Sequence, residues 1–368
     1  MDYRELSTPA LTIDLDIMER NLDRMAAYCR AHGLGLRPHV KTHKTPEVAR
    51  MQLERGALGL TVAKVGEAEV MIASGIVAET DEVLIAYPIL GGEKARRLAA
   101  LARTIRILVS LDSPEAAKGL SHVARAEGVK FGVLVEFDSG FGRCGLGTGP
   151  DCVALAKAIE KLPNLSFRGL MTFFGNVWGS EEQRRKEMRD SAGRIEKILD
   201  CFASERINVE VVSGGSTPSH QLSHTVPGLT EIRPGTYVYG DLNTFYQGVC
   251  TLEDCAARVV TTVISTAVPN RAMIDAGSKT LSSDPLNSGP RSGYGYVLDH
   301  PDAKLFKLNE EHGHLDITNS PHRFQVGDVL TVVPNHVCTC VNMHDEVFLV
   351  RNQEVVGCWR VEARGKIR

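Results

Sequence analysis

The chain has 368 residues, too many for one ordinary small domain and enough for a large barrel plus a smaller domain. Its 45 acidic and 42 basic residues nearly cancel, without a block of like charge, which argues against nucleic acid or an anionic membrane as partner and for a small molecule. The opening MDYRELSTPALTIDLDIMERN has acids where a signal peptide needs a basic end and an apolar core, no apolar run reaches a membrane span, and nine scattered cysteines, an odd number, do not suggest a disulfide framework. The expectation is a cytoplasmic protein with reduced, mostly buried cysteines.

In chain order, LTIDL near the N-terminus reads as a strand, and from Asp16 the spacing of Ile17, Met18, Leu22, Met25 and Ala26 suits a helix that stops around His32 and Gly33. LGLRPHVK follows as a strand. Further strands are GLTV at 59 to 62, VLIAY at 83 to 87, IRILVSL at 105 to 111, FGVLVEF at 131 to 137, LSFRGLM at 165 to 171, VEVVSGG at 209 to 215 and LTEIRPG at 229 to 235. Helical stretches such as EVARMQLERG, VGEAEVMIASG, GEKARRLAALAR and SPEAAKGLSHVARAEG separate them. About eight strand and helix units with short connections predict an α/β fold, a closed parallel (β/α)8 TIM-type barrel over residues 16 to 245 rather than an open doubly wound sheet. After Asp241 the strands CAARVVTTVISTA, NRAMIDAG, DVLTVVPNHV and EVFLVRNQEVVGCWRV lack long helices between them. They predict a second, mostly antiparallel β domain made of residues 246 to 368 with the N-terminal strand of residues 1 to 15.

Chemistry in such a barrel sits at the carboxyl ends of the strands. If RPHVKTHK continues as a strand, Arg37, His39, Lys41 and His43 share one face. Lys41 then falls at the strand end, pointing inward and partly desolvated, where a depressed pKa frees its amine to form a Schiff base. Lys44, off that parity, reads as a solvated lysine. VVSGGSTPS runs a strand into Gly214, Gly215, Ser216 and Thr217 ahead of a proline at a helix start, an arrangement that suits a phosphate and equally an ordinary capped turn. IRPGTYVYGD offers Gly235, Thr236 and Tyr237 at the neighbouring strand end. In VEFDSGFGRCGLG, Arg143 is a fixed cation among small residues, able to donate to a ring nitrogen or to serve as a plain surface arginine. In VVPNHVCTCVNMHDE, His336 and Cys338 lie two apart, on one face if the segment is a strand, and can bind one metal as imidazole and thiolate; a buried cysteine beside a histidine is the alternative. Cys340 has the same parity and His344 lies close. Two ligands are fewer than a closed structural site needs, which leaves positions for substrate.

RPHVKTHK followed by a helix, GRCG, SGGSTPS, RPGTYVYGD and a late PNHVC together resemble the pyridoxal phosphate enzymes of the alanine racemase-like barrel fold (fold type III), in the D-threonine aldolase and D-serine dehydratase branch. The resemblance runs over almost the whole chain. It implies a barrel that binds pyridoxal 5'-phosphate, with Lys41 holding the aldehyde, His39 in the supporting face and His43 near the substrate. It also implies Arg143 facing the pyridine nitrogen and Gly214, Gly215, Ser216, Thr217, Gly235, Thr236 and Tyr237 around the phosphate. His336 and Cys338 would hold a divalent metal, Mn2+ or Zn2+, with Mg2+ or Co2+ as further candidates. By analogy the active protein is a homodimer with neither nucleic acid nor membrane as partner.

Pyridoxal phosphate takes a substrate amine, and a metal can bind a β-hydroxyl with the carboxylate, so a D-3-hydroxy amino acid meets both demands. Cleavage between Cα and Cβ gives glycine and an aldehyde, the aldolase outcome. Removal of the α-proton with loss of hydroxide gives a keto acid and ammonia, the outcome of a D-serine or 3-hydroxy-D-aspartate dehydratase. The His-x-Cys pair resembles the zinc-dependent dehydratases. GLMTFFGNVWG and LIAYPILGG resemble the D-threonine aldolases, which the reading favours, although Phe173 and Asn176 stand where relatives tend to have tyrosine and histidine. A non-catalytic pyridoxal phosphate carrier is the alternative of another class. Lys64 reads as a helix-start lysine, Asp275 and Lys279 as parts of a turn, and His312 as a surface histidine.

Overall fold

The computed structural model describes residues 1–79, 81–286 and 293–368. The chain falls into two compact units, one of Met25–Lys41, Pro46–Gly235 and Gly365–Arg368, the other of Met1–Arg24, Thr42–Thr45 and Thr236–Arg364. In chain order the first elements are β1 (Ala10–Asp14), α1 (Leu15–Ala31), β2 (Gly35–Leu36), α2 (Pro46–Glu54), β3 (Gly59–Val62), α3 (Val65–Ala73), β4 (Glu82–Ile85), α4 (Gly92–Leu101) and β5 (Arg106–Leu111). Then come α5 (Pro114–Glu127), β6 (Phe131–Glu136), α6 (Gly149–Glu160), β7 (Leu165–Met171), α7 (Glu181–Ser204), β8 (Val211–Gly214) and β9 (Glu231–Ile232).

The eight parallel strands β2 to β9 run in the order β2-β9-β8-β7-β6-β5-β4-β3, and a parallel bridge between His39 and Thr61 closes the ring. This is the predicted barrel, with each strand inside or overlapping its predicted stretch. The first strand is shorter than LGLRPHVK suggests. Pro38 has no N–H to give the ladder, and regular strand ends at Leu36, although Arg37 N, His39 N and Val40 N still donate to the carbonyls of Ile232, Pro234 and Thr61 at 2.9–3.0 Å. Residues 40 to 43 then form a turn.

The barrel interior is layered. Leu84, Leu108, Leu134, Met171 and Val211 form an apolar cluster, and a polar ladder crosses the same interior. Arg37 donates to both carboxylate oxygens of Glu231 at 2.9–3.0 Å and to Glu82 Oε2 at 3.2 Å, with all three residues buried. Glu231 Oε1 accepts from Ser213 Oγ at 2.5 Å, and Arg233 reaches Ser213 Oγ and the Thr172 carbonyl at 2.6 Å each. Burial alone would raise the Glu231 carboxyl, but Arg37 outweighs it and holds the group below its ordinary value.

The second unit is built on a nine-stranded sheet. Its further elements are α8 (Leu242–Tyr246), β10 (Ala257–Ser265), β11 (Arg271–Ile274), α9 (Ser278–Leu281), β12 (Gly295–Val297), β13 (Lys304–Leu308), β14 (Gly313–Asp316), β15 (Val329–Pro334), α10 (Val337–Val341), β16 (Glu346–Arg351) and β17 (Glu354–Arg360). The order is β11-β14-β13-β12-β15-β10-β1-β16-β17, antiparallel except that β1 lies parallel to β16. The N-terminal strand joins this sheet, as the sequence predicts. Strands β12, β13 and β14 were not foreseen. No helix among the described residues is long and apolar enough to cross a membrane.

Removing one partner of the Arg37–Glu231 pair leaves a buried charge unmatched, so Glu231→Gln should lose about 3–5 kcal/mol in urea denaturation at neutral pH. The folded carboxyl of Glu231 lies below its ordinary value near 4.5. Its contribution is therefore complete above that value and is lost as the pH falls through the folded one, so the variant should show a flatter acid limb of stability against pH than the parent.

Candidate active site

The barrel unit carries most of the predicted cofactor residues at the carboxyl ends of its strands. From Leu36 to Thr45 every residue is buried except Lys41, which is exposed. The expectation of a half-desolvated, inward lysine is thus corrected. Strand parity holds through Arg37 and His39, but the turn beginning at Val40 lifts Lys41 out. Lys44, expected to be solvated, is 7% exposed, adopts φ +55° and donates Nζ to the Ala363 carbonyl at 3.5 Å. An amine that is to take up an aldehyde must be reachable, and of the two lysines Lys41 is the reachable one.

Arg143 is exposed, with its guanidinium 4.5 Å from the Phe173 ring centroid and 5.7 Å from that of Phe141. It faces Glu136, at the end of β6, whose carboxyl is pushed up by burial against the hydrogen bond from Ser110 and the charges of Arg233 and Arg143. Where relatives were expected to show tyrosine, Phe173 therefore stacks on this arginine. Asn176, in place of histidine, donates Nδ2 to Glu187 Oε2 at 2.7 Å.

The loop after β8 turns at Gly215, whose φ of +80° favours glycine, while a Cβ on Gly214 would meet Leu229 at 2.8 Å. Ser216 N donates to Ser219 Oγ at 2.9 Å, and the Ser216 and Ser219 hydroxyls lie 3.2 Å apart. The predicted helix after the proline is a single 3-10 segment, His220–Thr225. Ser216, Thr217 and Gly235 are all buried. A reachable amine and a hydroxyl-rich glycine turn at strand ends of one barrel form a donor set that fits an aldehyde bearing a phosphate.

The metal candidates lie in the second unit. His336 precedes and caps α10, so the segment is a helical turn and not the strand that the parity argument assumed. The two side chains still act on each other, since Cys338 is among the groups that raise the His336 imidazole. His336 Nδ1 bonds Asp284 Oδ2 at 2.7 Å, and Thr339 Oγ1 donates to the same oxygen at 2.9 Å. Cys338 Sγ lies 3.2 Å from Thr42 Oγ1 and 3.7 Å from Thr236 Oγ1. Burial alone would lower the imidazole pKa, but Cys338, Asp241 and Asp284 together raise it to about 10.

A carboxylate behind one ring nitrogen and a thiol beside the ring is the arrangement that orients a metal-bound histidine, so the donor set fits a divalent cation. No group of three or more His, Cys, Asp or Glu able to hold a metal occurs among the described residues. Cys340 Sγ and His344 Nε2 instead both reach the Thr280 carbonyl, at 3.3 and 3.1 Å.

His43, expected near the substrate, is wholly buried, with Nδ1 3.1 Å from both the N and the carbonyl O of Thr45. It shapes the turn after Lys41 and does not face solvent. Tyr237, in the segment Thr236–Val238, is 8% exposed. Lys64 caps α3 with Nζ 3.5 Å from the Tyr87 ring centroid, as a helix-start lysine. Asp275 is bonded by Thr8, Thr261 and Thr262, Lys279 pairs with Glu311, and His312 is exposed.

Two residues were missed. Asp284, in LSSDP, sits in a loop without periodic signal. Asp241 caps α8 through Thr244 N at 2.9 Å and accepts Val337 N at 3.1 Å, which anchors the start of α10. The spacing of Asp241 and Thr244 is that of a capping box and could have flagged it.

Two family models match the chain, "Alanine racemase, N-terminal domain" over residues 13–243 and "Putative serine dehydratase domain" over residues 256–350. The 3-hydroxy-D-aspartate aldolase of Paracoccus denitrificans is 33% identical, with 100% of this chain and 94% of that protein covered. Among solved structures, D-threonine aldolase from Filomicrobium marinum superposes with a TM-score of 0.91 at 30% identity, covering 100% of this chain and 98% of that one. D-threo-3-hydroxyaspartate dehydratase, solved from Delftia sp. and also as a variant in a metal-free form, gives 0.90 at 30% identity, with 98% of each chain covered. The barrel, the second antiparallel sheet and relatives matched end to end lead to one conclusion: this chain belongs to the alanine racemase N-terminal domain family, in its branch with a serine dehydratase-type second domain.

Proposed function

We propose that the chain is a lyase that uses pyridoxal phosphate and a divalent metal to cleave a D-3-hydroxy amino acid into glycine and an aldehyde. The observation that carries the metal-dependent reading is the array Asp284, His336 and Cys338, two adjacent ligands with a carboxylate behind one of them. The similarity to aldolases and a dehydratase over nearly the whole chain supports lyase chemistry over a mere carrier of the cofactor, because the second domain is matched along with the barrel.

When bound, pyridoxal phosphate supplies a sink for the electron pair left at Cα and the metal supplies a Lewis acid for the β-hydroxyl. The remaining work falls to the chain. Lys41 Nζ, in the turn that follows the first strand of the barrel, would hold the cofactor aldehyde. His39, Gly214, Gly215, Ser216, Thr217, Gly235, Thr236 and Tyr237 orient the ring and phosphate. Arg143, a permanent cation, would serve the ring nitrogen and disfavour its protonation. His336 and Cys338 would hold the metal, which would supply a Lewis acid for the hydroxyl and carboxylate of the substrate. His43 acts by fixing the turn after Lys41. The working form is a homodimer by analogy with this fold.

A dehydratase reading of the same site is favoured by one observation, the thiolate ligand Cys338, which suits zinc. Incubation with D-threonine, D-serine and 3-hydroxy-D-aspartate, with Mn2+ or Zn2+ added, separates the two. Glycine with the matching aldehyde is the expected result, a keto acid with ammonia would establish the dehydratase, and no turnover of any of them would sink both.

Lys41→Ala, reconstituted with pyridoxal phosphate, should lose the absorption band of the lysine-bound cofactor and turn over at least about 10³-fold more slowly; a band that persists assigns the role elsewhere. Asp284→Asn should weaken divalent-metal affinity about 10–100-fold in an equilibrium titration followed without substrate. Unchanged affinity would remove Asp284 from the site.

A further inference from the structure

We propose that Cys250 and Cys255 form a redox-active dithiol that closes to an intrachain disulfide when hydrogen peroxide reaches the half-buried Cys250. All nine cysteines are free thiols. These two stand on either side of a short 3-10 turn, Leu252–Asp254, closed at its start by a capping box between Thr251 and Asp254. The turn folds Cys255 back, so that its sulfur lies 3.7 Å from the carbonyl of Thr251, the residue after Cys250, and the two thiols are close enough to shift each other's acidity. Cys250 packs against the apolar cluster of Leu242, Cys255 and Val333, while its Sγ lies 3.3 Å from Thr244 Oγ1.

The two cysteines have unequal surroundings. Cys255 is fully buried and Cys250 only partly so. The neighbouring Cys255 thiol lowers that of Cys250 against the effect of burial, and Cys250 together with burial raises that of Cys255. A more acidic and more accessible sulfur beside a buried protonated one is the relation of an attacking to a resolving cysteine.

The chemistry closes without a further reagent. The Cys250 sulfur attacks one peroxide oxygen, the O–O bond breaks, and the departing hydroxide leaves as water, giving a sulfenic acid. The Cys255 sulfur then displaces the remaining oxygen as a second water. The S–S bond forms, two thiols are oxidised by two electrons, and one peroxide is reduced to two waters; a dithiol reductant reverses the change. Closure also takes the Cys250 S–H away from Thr244, whose hydroxyl bonds the Asp241 carboxylate that anchors Val337.

No lysine or arginine lies between the two cysteines, so trypsin leaves both on one peptide. The full-length chain is treated with hydrogen peroxide, quenched, alkylated under denaturing conditions and digested without reductant. The expected peptide carries no alkyl group, is lighter than the dithiol form by two hydrogens, and takes two alkyl groups after dithiothreitol. If both cysteines remain alkylatable while the exposed Cys144 and Cys358 are oxidised, the proposal fails. It fails equally if Cys250 proceeds to sulfinic acid with Cys255 still a thiol. In Cys255→Ser, Cys250 should stop at the sulfenic acid and be trapped by dimedone; the parent protein decides the matter even if that variant does not fold.

Discussion

The buried contact between Arg37 and Glu231 is the constraint on which the barrel depends. β2 and β9 are each only two residues long, so the regular ladder between the first and last strands is short, and the other edge closes on β3 through the bridge of His39 and Thr61. A bidentate guanidinium–carboxylate pair at 2.9–3.0 Å supplies the rigidity that those few backbone bonds lack, and the link from Arg37 to Glu82 ties in a third strand. Such a pair adds little net stability over an apolar replacement, but it fixes one geometry and penalises every alternative that breaks it. What it fixes is the path of RPHVKTHK. With Arg37 anchored inside and Val40 bonded to Thr61, the turn that lifts Lys41 into solvent has one place to begin.

The same pair starts the polar ladder that reaches the opposite end of the barrel. Glu231 holds Ser213, Ser213 accepts Arg233, and Arg233 reaches Thr172 while its own N–H bonds the Gly214 carbonyl. Burial pushes the Arg233 guanidinium down to about 10, still well above neutrality, so the chain of charges stays intact where the enzyme works. The ladder therefore couples barrel closure to the position of the glycine turn after β8. In the second unit Asp241 has the corresponding part, joining the start of α8 to the start of α10 through two backbone N–H groups. Each candidate site thus rests on a buried carboxylate that never needs to touch a ligand.

The sequence was most legible where period and position agree. Barrel strands such as GLTV, VLIAY and FGVLVEF are largely apolar runs, and a strand buried on both faces is bound to read that way. Parity failed where it was carried past the strand: it placed Arg37 and His39 inside, but turns obey no period of two, and Lys41, His43 and Lys44 each lie otherwise than expected. His336 and Cys338 meet by a different route from the one assumed, because a helix start also brings residues two apart near each other when one is the cap. Strands β12 to β14 escaped notice for a physical reason. They are short, and β13 carries a register shift between Leu305 and Lys307 that breaks the alternation in KLFKL. Asp284 and Arg233 gain their roles from partners more than twenty residues away or across the barrel, which no local pattern records.

Phe173 and Asn176 bear on which reaction the proposed site would carry. Neither can gain or lose a proton near neutrality, and both are engaged, Phe173 against Arg143 and Asn176 with Glu187. The loop after β7 therefore offers no acid or base at these two positions. Phe173 lies against Arg143 with its ring, a cation–π contact that orients the guanidinium while leaving it exposed. A ring nitrogen kept unprotonated weakens the cofactor as an electron sink, so more of the driving force must come from the substituent at Cβ. On the proposed reading that burden would fall on His336 and Cys338 in both outcomes. A metal that acidifies the hydroxyl leads to Cα–Cβ cleavage, and one that eases its departure leads to elimination. On the proposed reading, the choice rests on how strongly the Cys338 thiolate damps the Lewis acidity of the metal, and so on a residue that the stacking of Phe173 does not touch.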